Sequence, residues 1–198
     1  MVIIMLTQEQ ILDIFKEKQV LLEGHFRLTS GRHAAYYMQC AQLLQYPDAA
    51  GPICEQLASL YANQGITIVV GPATGAIIIA YEVARALGVK ALFTERDSDG
   101  KMVLRRGFEI EPEDKVLVVE DVVTTGGSCK EVAALAAATG AEVVGIGVLV
   151  DRSGGKVDLG WPLKALISME IESYTVEECP LCAKGIPAIK PGSRPDKK

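Results

Sequence analysis

The sequence predicts an α/β fold, a mainly parallel central sheet flanked by helices, on three observations. Val116–Ser128 (VLVVEDVVTTGGS) joins a short apolar run to two adjacent carboxylates and a Thr/Gly/Ser loop that opens a helical segment. Ile66–Gly75 (ITIVVGPATG) repeats the order of strand, small-residue loop and helix. Further β-branched runs alternate with helical spacings, the pattern of βαβ units.

The elements follow in order. Thr7-Gln-Glu-Gln10 has the form of a capping box ahead of Ile11, Leu12, Ile14 and Phe15, which predicts an amphipathic helix to about Gln19. Phe26–Gly31 and Tyr36–Cys40 read as short extended pieces around a polar turn. Asp48 is placed to cap a second helix that ends near Gln64-Gly65, with Ile53, Leu57, Leu60 and Tyr61 inward. Ile66–Gly71 is a strand, and a helix runs from after Gly75 to Leu87-Gly88. Ala91–Thr94, Lys115–Glu120, Ala141–Val150 and Leu163–Met169 are further strands, with Gly145 and Gly147 marking close packing. Between Lys115–Glu120 and Ala141–Val150, Val132, Leu135 and Ala136 recur at helical spacing and Gly140 ends the helix. Glu95–Gly107 is highly charged and reads as a solvated hairpin or long loop, and PGSRPDKK as a mobile tail.

Composition bounds the function. A chain of 198 residues, 49% hydrophobic and 23% charged, suits one globular domain with small appendages. A net charge of −5 argues against a general nucleic-acid surface. No apolar stretch approaches the roughly 20 residues of a membrane span, and MVIIML lacks the basic flank of a signal peptide, so a cytoplasmic protein is expected. The five cysteines are an odd, scattered set, unlike a secreted disulfide framework.

Thr124, Thr125, Gly126, Gly127 and Ser128 carry the chemistry of an anion site. Successive backbone N–H groups and the positive end of a helix dipole converge there, and the hydroxyls add donors. The same Ser128 with Glu131 also makes an ordinary capping box, so the loop alone leaves both readings open. GxxxxGK[ST] is absent, which excludes a nucleotide P-loop. Glu120-Asp121 immediately before the loop are placed to accept hydrogen bonds from vicinal hydroxyls or to hold a cation. Together the two parts point to a ribose-5-phosphate site.

VLVVEDVVTTGGS closely resembles the phosphoribosyl-diphosphate (PRPP) signature of type I phosphoribosyltransferases. That resemblance implies the family's fold, with a small N-terminal hood and a mobile loop. It also implies transfer of ribose-5-phosphate from PRPP to a nitrogenous base, with Mg²⁺ held through PRPP near Glu120 and Asp121. Those two carboxylates would bind the ribose hydroxyls, Thr124–Ser128 the 5′-phosphate, and Ala73, Thr74 and Gly75 of GPATG the pyrophosphate. Residues 95–107 resemble the mobile catalytic loop of orotate enzymes, which reaches the neighbouring subunit's site. Arg96, Lys101 and Arg105 would then be catalytic, with Arg96, Lys101 and Arg106 on pyrophosphate, in a homodimer.

Orotate is the acceptor that the resemblance implies. GHFRLTSGRHAAYY is similar to the N-terminal segment that lines the base site in orotate phosphoribosyltransferases, and DRSGG to their D-R motif. Arg152 would face the orotate carboxylate, a planar bidentate task suited to guanidinium, with Thr29, Tyr37 and Met38 also at the base. The product would be orotidine 5′-monophosphate, on the route to UMP. The chain departs from many such enzymes at Thr29 and at Thr74-Gly75, where a lysine and a Tyr-Lys pair are usual, and its loop has no histidine. A purine phosphoribosyltransferase and a non-catalytic PRPP-sensing regulator are the rival readings. On this division residues 1–175 form the transferase domain, 1–45 of it partly hood, and 176–198 a CPLC segment and flexible tail.

CPLCAKG resembles a zinc knuckle. Cys179 and Cys182 supply two thiolates where a structural zinc takes four ligands. Either a dimer completes a Cys₄ site across its axis, or the two are a reduced pair at a hinge. His25 and His33, the only histidines, receive no role.

Overall fold

The computed structural model describes residues 5–28 and 30–191. Thr29, and the tail beyond Pro191, lie outside the described residues. In chain order the elements are α1 (Gln8–Glu17), β1 (Leu21–Arg27), β2 (His33–Met38), α2 (Ala41–Leu44), α3 (Pro47–Ser59), β3 (Ile68–Pro72) and α4 (Ile77–Leu87). They continue with β4 (Lys90–Arg96), β5 (Met102–Leu104), β6 (Lys115–Val123), α5 (Gly127–Ala137), β7 (Glu142–Asp151), β8 (Leu163–Ser168) and α6 (Pro180–Ala183).

Six strands form one sheet in the order β5-β4-β3-β6-β7-β8, parallel except for the β4–β5 hairpin. The chain moves outward from β3 to β4 and then returns to place β6 on the other side of β3. The β3/β6 pair is therefore a topological switch point, and a crevice opens at its carboxyl end. Val116, Leu117, Val118 and Val119 are all fully buried, because alternate side chains enter two different cores. Leu117 and Val119 pack with α1, α3 and α4 on one face, and Val116 and Val118 with α5 on the other.

Most local readings hold. Thr7 and Gln10 form the capping box reciprocally, at 3.2 and 2.8 Å, and Ile11 and Phe15 are fully buried. The second helix differs: its N-cap is Tyr46, with no side-chain cap, and Asp48 lies in the first turn beside Pro47 at the helix start. Ala41–Leu44 adds a short helix with no sequence signal. The helix after the Thr/Gly/Ser loop buries Cys129, Val132, Ala133 and Ala136, leaving Leu135 at the rim. The charged segment after Thr94 forms the β4–β5 hairpin, with Met102 buried beneath it.

Gly145 and Gly147 have a specific cause. A Cβ at either position would stand 3.1 Å from the ring of Tyr61, which lies flat against β7 and donates its hydroxyl to the Ile146 carbonyl at 2.6 Å. Tyr61→Phe leaves that acceptor without its partner and should cost about 1–2 kcal/mol, read as a thermal midpoint lowered by about 2–6 °C.

The N-terminal hairpin β1–β2 is a separate two-stranded sheet. No helix among the described residues is long and apolar enough to cross a membrane.

Candidate active site

The crevice at the switch point is lined by Ala73, Thr74, Gly75, Arg96, Glu120, Asp121, Thr124–Ser128 and Glu131, and encloses about 400 Å³. Its two walls are the turns that leave β3 and β6. The β3–β6 ladder ends at Val70↔Val118, whereas β6 continues beside β7 to Val123↔Asp151. Glu120 and Asp121 thus lie within a strand rather than after it, on the edge that β3 has vacated.

The helix cap resolves the competing readings of Ser128. The N-cap of α5 is Gly126, at φ +70°, and no side chain caps the helix. Glu131 is not folded back as a capping-box partner. Its carboxylate accepts from Arg96 at 2.8 and 3.1 Å, so the first-turn amides and the Ser128 hydroxyl are left to the cleft. Gly126 is required twice over: its φ is left-handed, and a Cβ there would stand 2.1 Å from Cδ2 of the buried Leu159. Opposite, Gly75 lets the β3 turn approach β6, since its Cβ would lie 3.1 Å from Asp121 Oδ2.

A second pocket, of about 820 Å³, adjoins the first and shares Thr74, Gly75, Asp121, Val122, Thr124 and Thr125 with it. Tyr37, Met38 and Arg152 line it, as do Leu28, Ser30, Gln39 and Ile78. Phe26 and Tyr37 pack with ring centroids 5.8 Å apart, which steadies the β2 wall. Arg152 follows β7 directly, and its backbone N–H donates to the Val123 carbonyl at 2.8 Å, tying this pocket to the Thr124–Ser128 loop. Its Nε is buried and has no hydrogen-bond partner, and burial holds the guanidinium below the ordinary arginine range, with Tyr37 acting the other way. A planar cation with an unmet donor, half-sunk in a pocket wall, calls for an anion.

Asp151 holds that arginine's turn. Burial alone would raise its carboxyl, but hydrogen bonds from the Ser153 hydroxyl and N–H, the Gly155 N–H and the Ser168 hydroxyl outweigh this and keep it below the usual range. Cys40 and Cys129 line the pockets without being nucleophiles. Burial, reinforced by Glu120 and Asp121, pushes both thiols well up.

Of the four loop cations, only Arg96 reaches the cleft. Lys101 and Arg105 are exposed away from both pockets, and Arg106 pairs with Glu95 at 2.8 Å and lies over Phe93. Glu131, expected as the capping-box partner of Ser128, instead holds Arg96, and Asp151, first residue of the DRSGG motif, has a positioning role that the motif did not assign. Asp151 carries a recognisable signal, an aspartate two residues before a serine in a Gly-rich turn. Cys179 and Cys182 are not remote from other ligands either: they lie against His25 and His33 of the same chain.

Comparison with known proteins agrees with this geometry. The family model described as phosphoribosyl transferase domain matches residues 41–175. The orotate phosphoribosyltransferase of Pelotomaculum thermopropionicum is 56% identical over 189 residues, 96% of this chain and 99% of its own length. That of Desulforamulus reducens is 54% identical over 189 residues, covering 96% and 98%. The crystal structure of orotate phosphoribosyltransferase from Aeropyrum pernix superposes with a TM-score of 0.69, covering 80% of this chain and 93% of that one. At 24% identity it speaks for the fold alone. A glycine-bearing loop at a helix start, an acidic pair beside it and a matched family model over residues 41–175 lead to one conclusion: the chain belongs to the phosphoribosyltransferase family.

Proposed function

We infer that this chain transfers ribose-5-phosphate from PRPP to orotate, giving orotidine 5′-monophosphate and pyrophosphate for UMP synthesis. The observation that carries the choice of acceptor is the buried, unpartnered Nε of Arg152 in the pocket beside the phosphate loop. A purine has no carboxylate to satisfy it.

In this reading Thr124–Ser128 cradle the 5′-phosphate with backbone N–H groups and hydroxyls. Glu120 and Asp121 accept from the ribose hydroxyls, and the β3 turn at Ala73–Gly75 receives the pyrophosphate. Orotate lies between Tyr37, Met38 and Arg152, with its ring nitrogen turned to C1 of the ribose. The base is already anionic, so bond formation at C1 and departure of pyrophosphate need positioning and charge stabilisation more than a strong side-chain base.

The cleft also fits Mg²⁺. Its lining sets three carboxylates, Glu120, Asp121 and Glu131, against one cation, Arg96, an unfavourable lining for a polyanion on its own. A divalent ion carried on PRPP, with Glu120 and Asp121 nearby, would supply the missing positive charge. Lys101 and Arg105, exposed away from both pockets, fit a homodimer in which the β4–β5 hairpin serves the neighbouring site, and the enzyme is read as cytoplasmic. Mixing Lys101→Ala with Asp121→Asn protein should then restore about a quarter of wild-type activity, because each mixed dimer regains one intact site. No recovery on mixing would mean that the loop acts on its own subunit.

The function itself is tested by a base panel at fixed Mg-PRPP. Pyrophosphate release with orotate, and not with adenine, hypoxanthine, xanthine or uracil, is expected. Turnover with purines alone would overturn the assignment, and PRPP binding without turnover of any base would favour a regulator.

A further inference from the structure

Outside the cleft, four metal-ligating side chains converge. His25 on β1, His33 on β2, and Cys179 and Cys182 around α6 present ligand atoms that all lie within 4.8 Å of one another. His25 Nε2 is 2.8 Å from His33 Nδ1 and 3.4 and 3.7 Å from the two sulfurs, and Cys182 Sγ is 3.2 Å from His33 Nδ1. With Zn–N near 2.0 Å and Zn–S near 2.3 Å, the edges of a tetrahedral S₂N₂ site run from about 3.3 to 3.8 Å. The three mixed edges, at 3.2, 3.4 and 3.7 Å, lie within about 0.1 Å of that range, and the imidazoles need part by only a few tenths of an ångström.

The surroundings favour a metal. His25 Nδ1 lies 2.7 Å from the Ile186 carbonyl, which can only accept, so that nitrogen carries the proton and the lone pair of Nε2 faces the cluster. His25, His33 and Cys179 are 4, 5 and 2% exposed, so water cannot readily serve these donors. The C-terminal segment is held by hydrogen bonds and has little apolar core of its own. Val176, Ile186 and Ile189 remain exposed and α6 buries no residue of its own; the segment meets the hairpin through backbone pairing at Tyr174↔His33 and Ile189↔Phe26, hydrogen bonds from Arg32 to Ser173, and the His25–Ile186 contact. A short segment without a core needs a staple.

We propose that His25, His33, Cys179 and Cys182 form a structural zinc site within one chain, which pins the C-terminal segment to the β1–β2 hairpin. Four protein ligands leave no open position, so the role is structural. The hairpin carries Tyr37 and Met38, and the segment reaches Pro191, all on the wall of the second pocket. The staple therefore shapes that wall from outside. This replaces a Cys₄ site shared across a dimer with a site complete in each subunit.

The test is metal content of untagged full-length protein from zinc-supplemented culture, with cobalt exchange. One zinc per chain is expected, released when the thiols are modified with a mercurial. The cobalt form should show the visible absorption of a tetrahedral two-sulfur, two-nitrogen site. Cys182→Ser and His33→Gln should each lose the metal and melt about 5 °C or more below wild type. Should these variants fail to fold, chelation of the wild-type protein after thiol modification gives the same reading. Less than a tenth of an equivalent of zinc with no cobalt spectrum would overturn the proposal. So would half an equivalent per chain with a sulfur-only spectrum. Neither readout depends on catalysis.

Discussion

Arg152→Ala should lower kcat/KM for orotate by roughly 100- to 10,000-fold, because two charge-assisted hydrogen bonds to a carboxylate are lost together. The loss should fall on orotate and leave PRPP affinity close to wild type, since Arg152 lines the second pocket and not the phosphate cleft. Arg152→Lys should recover only part of it: an ammonium restores the charge but not the fork that meets both carboxylate oxygens. Steady-state kinetics with each substrate varied in turn, beside calorimetric titration of PRPP, separates these outcomes. An equal loss in PRPP affinity would mean that the arginine supports the phosphate loop through its tie to Val123 rather than the base.

Gly126→Ala should weaken PRPP use by at least about 100-fold in kcat/KM, through geometry alone. A Cβ at φ +70° costs roughly 1–2 kcal/mol in the backbone, and here it would also meet Leu159, which is 2% exposed and cannot swing into solvent. The loop must shift, and the amides proposed to hold the 5′-phosphate shift with it. Titration of PRPP should show the loss, while far-ultraviolet circular dichroism stays unchanged. Unaltered PRPP binding would show that the loop tolerates the displacement and that the amides are not its principal donors.

The features legible in the sequence were those set by neighbours along the chain. The apolar run Val116–Val119, the acidic pair and the glycine-bearing loop form one continuous stretch, and strand, turn and helix propensities act over just such distances. The Thr7 capping box likewise needs only residues three apart. Asp48 misled because a cap depends on where the preceding chain enters, and Tyr46 and Pro47 set that entry. Ser128 and Glu131 could not be decided locally, because the competing partner of Glu131 is Arg96, 35 residues away at the end of β4.

The sequence by itself determined the glycine-bearing loop, the acidic pair before it and the α/β layering, since each is written in a periodicity or a short motif. Only the tertiary structure decided that Arg152 has an unmet donor beside the second pocket, that Arg96 alone among the loop cations meets its own cleft, and that two histidines without an assigned role face two cysteines about 150 residues further on. The reason is physical: burial and ligand convergence depend on how crossovers bring distant segments together, and no local spacing encodes that distance.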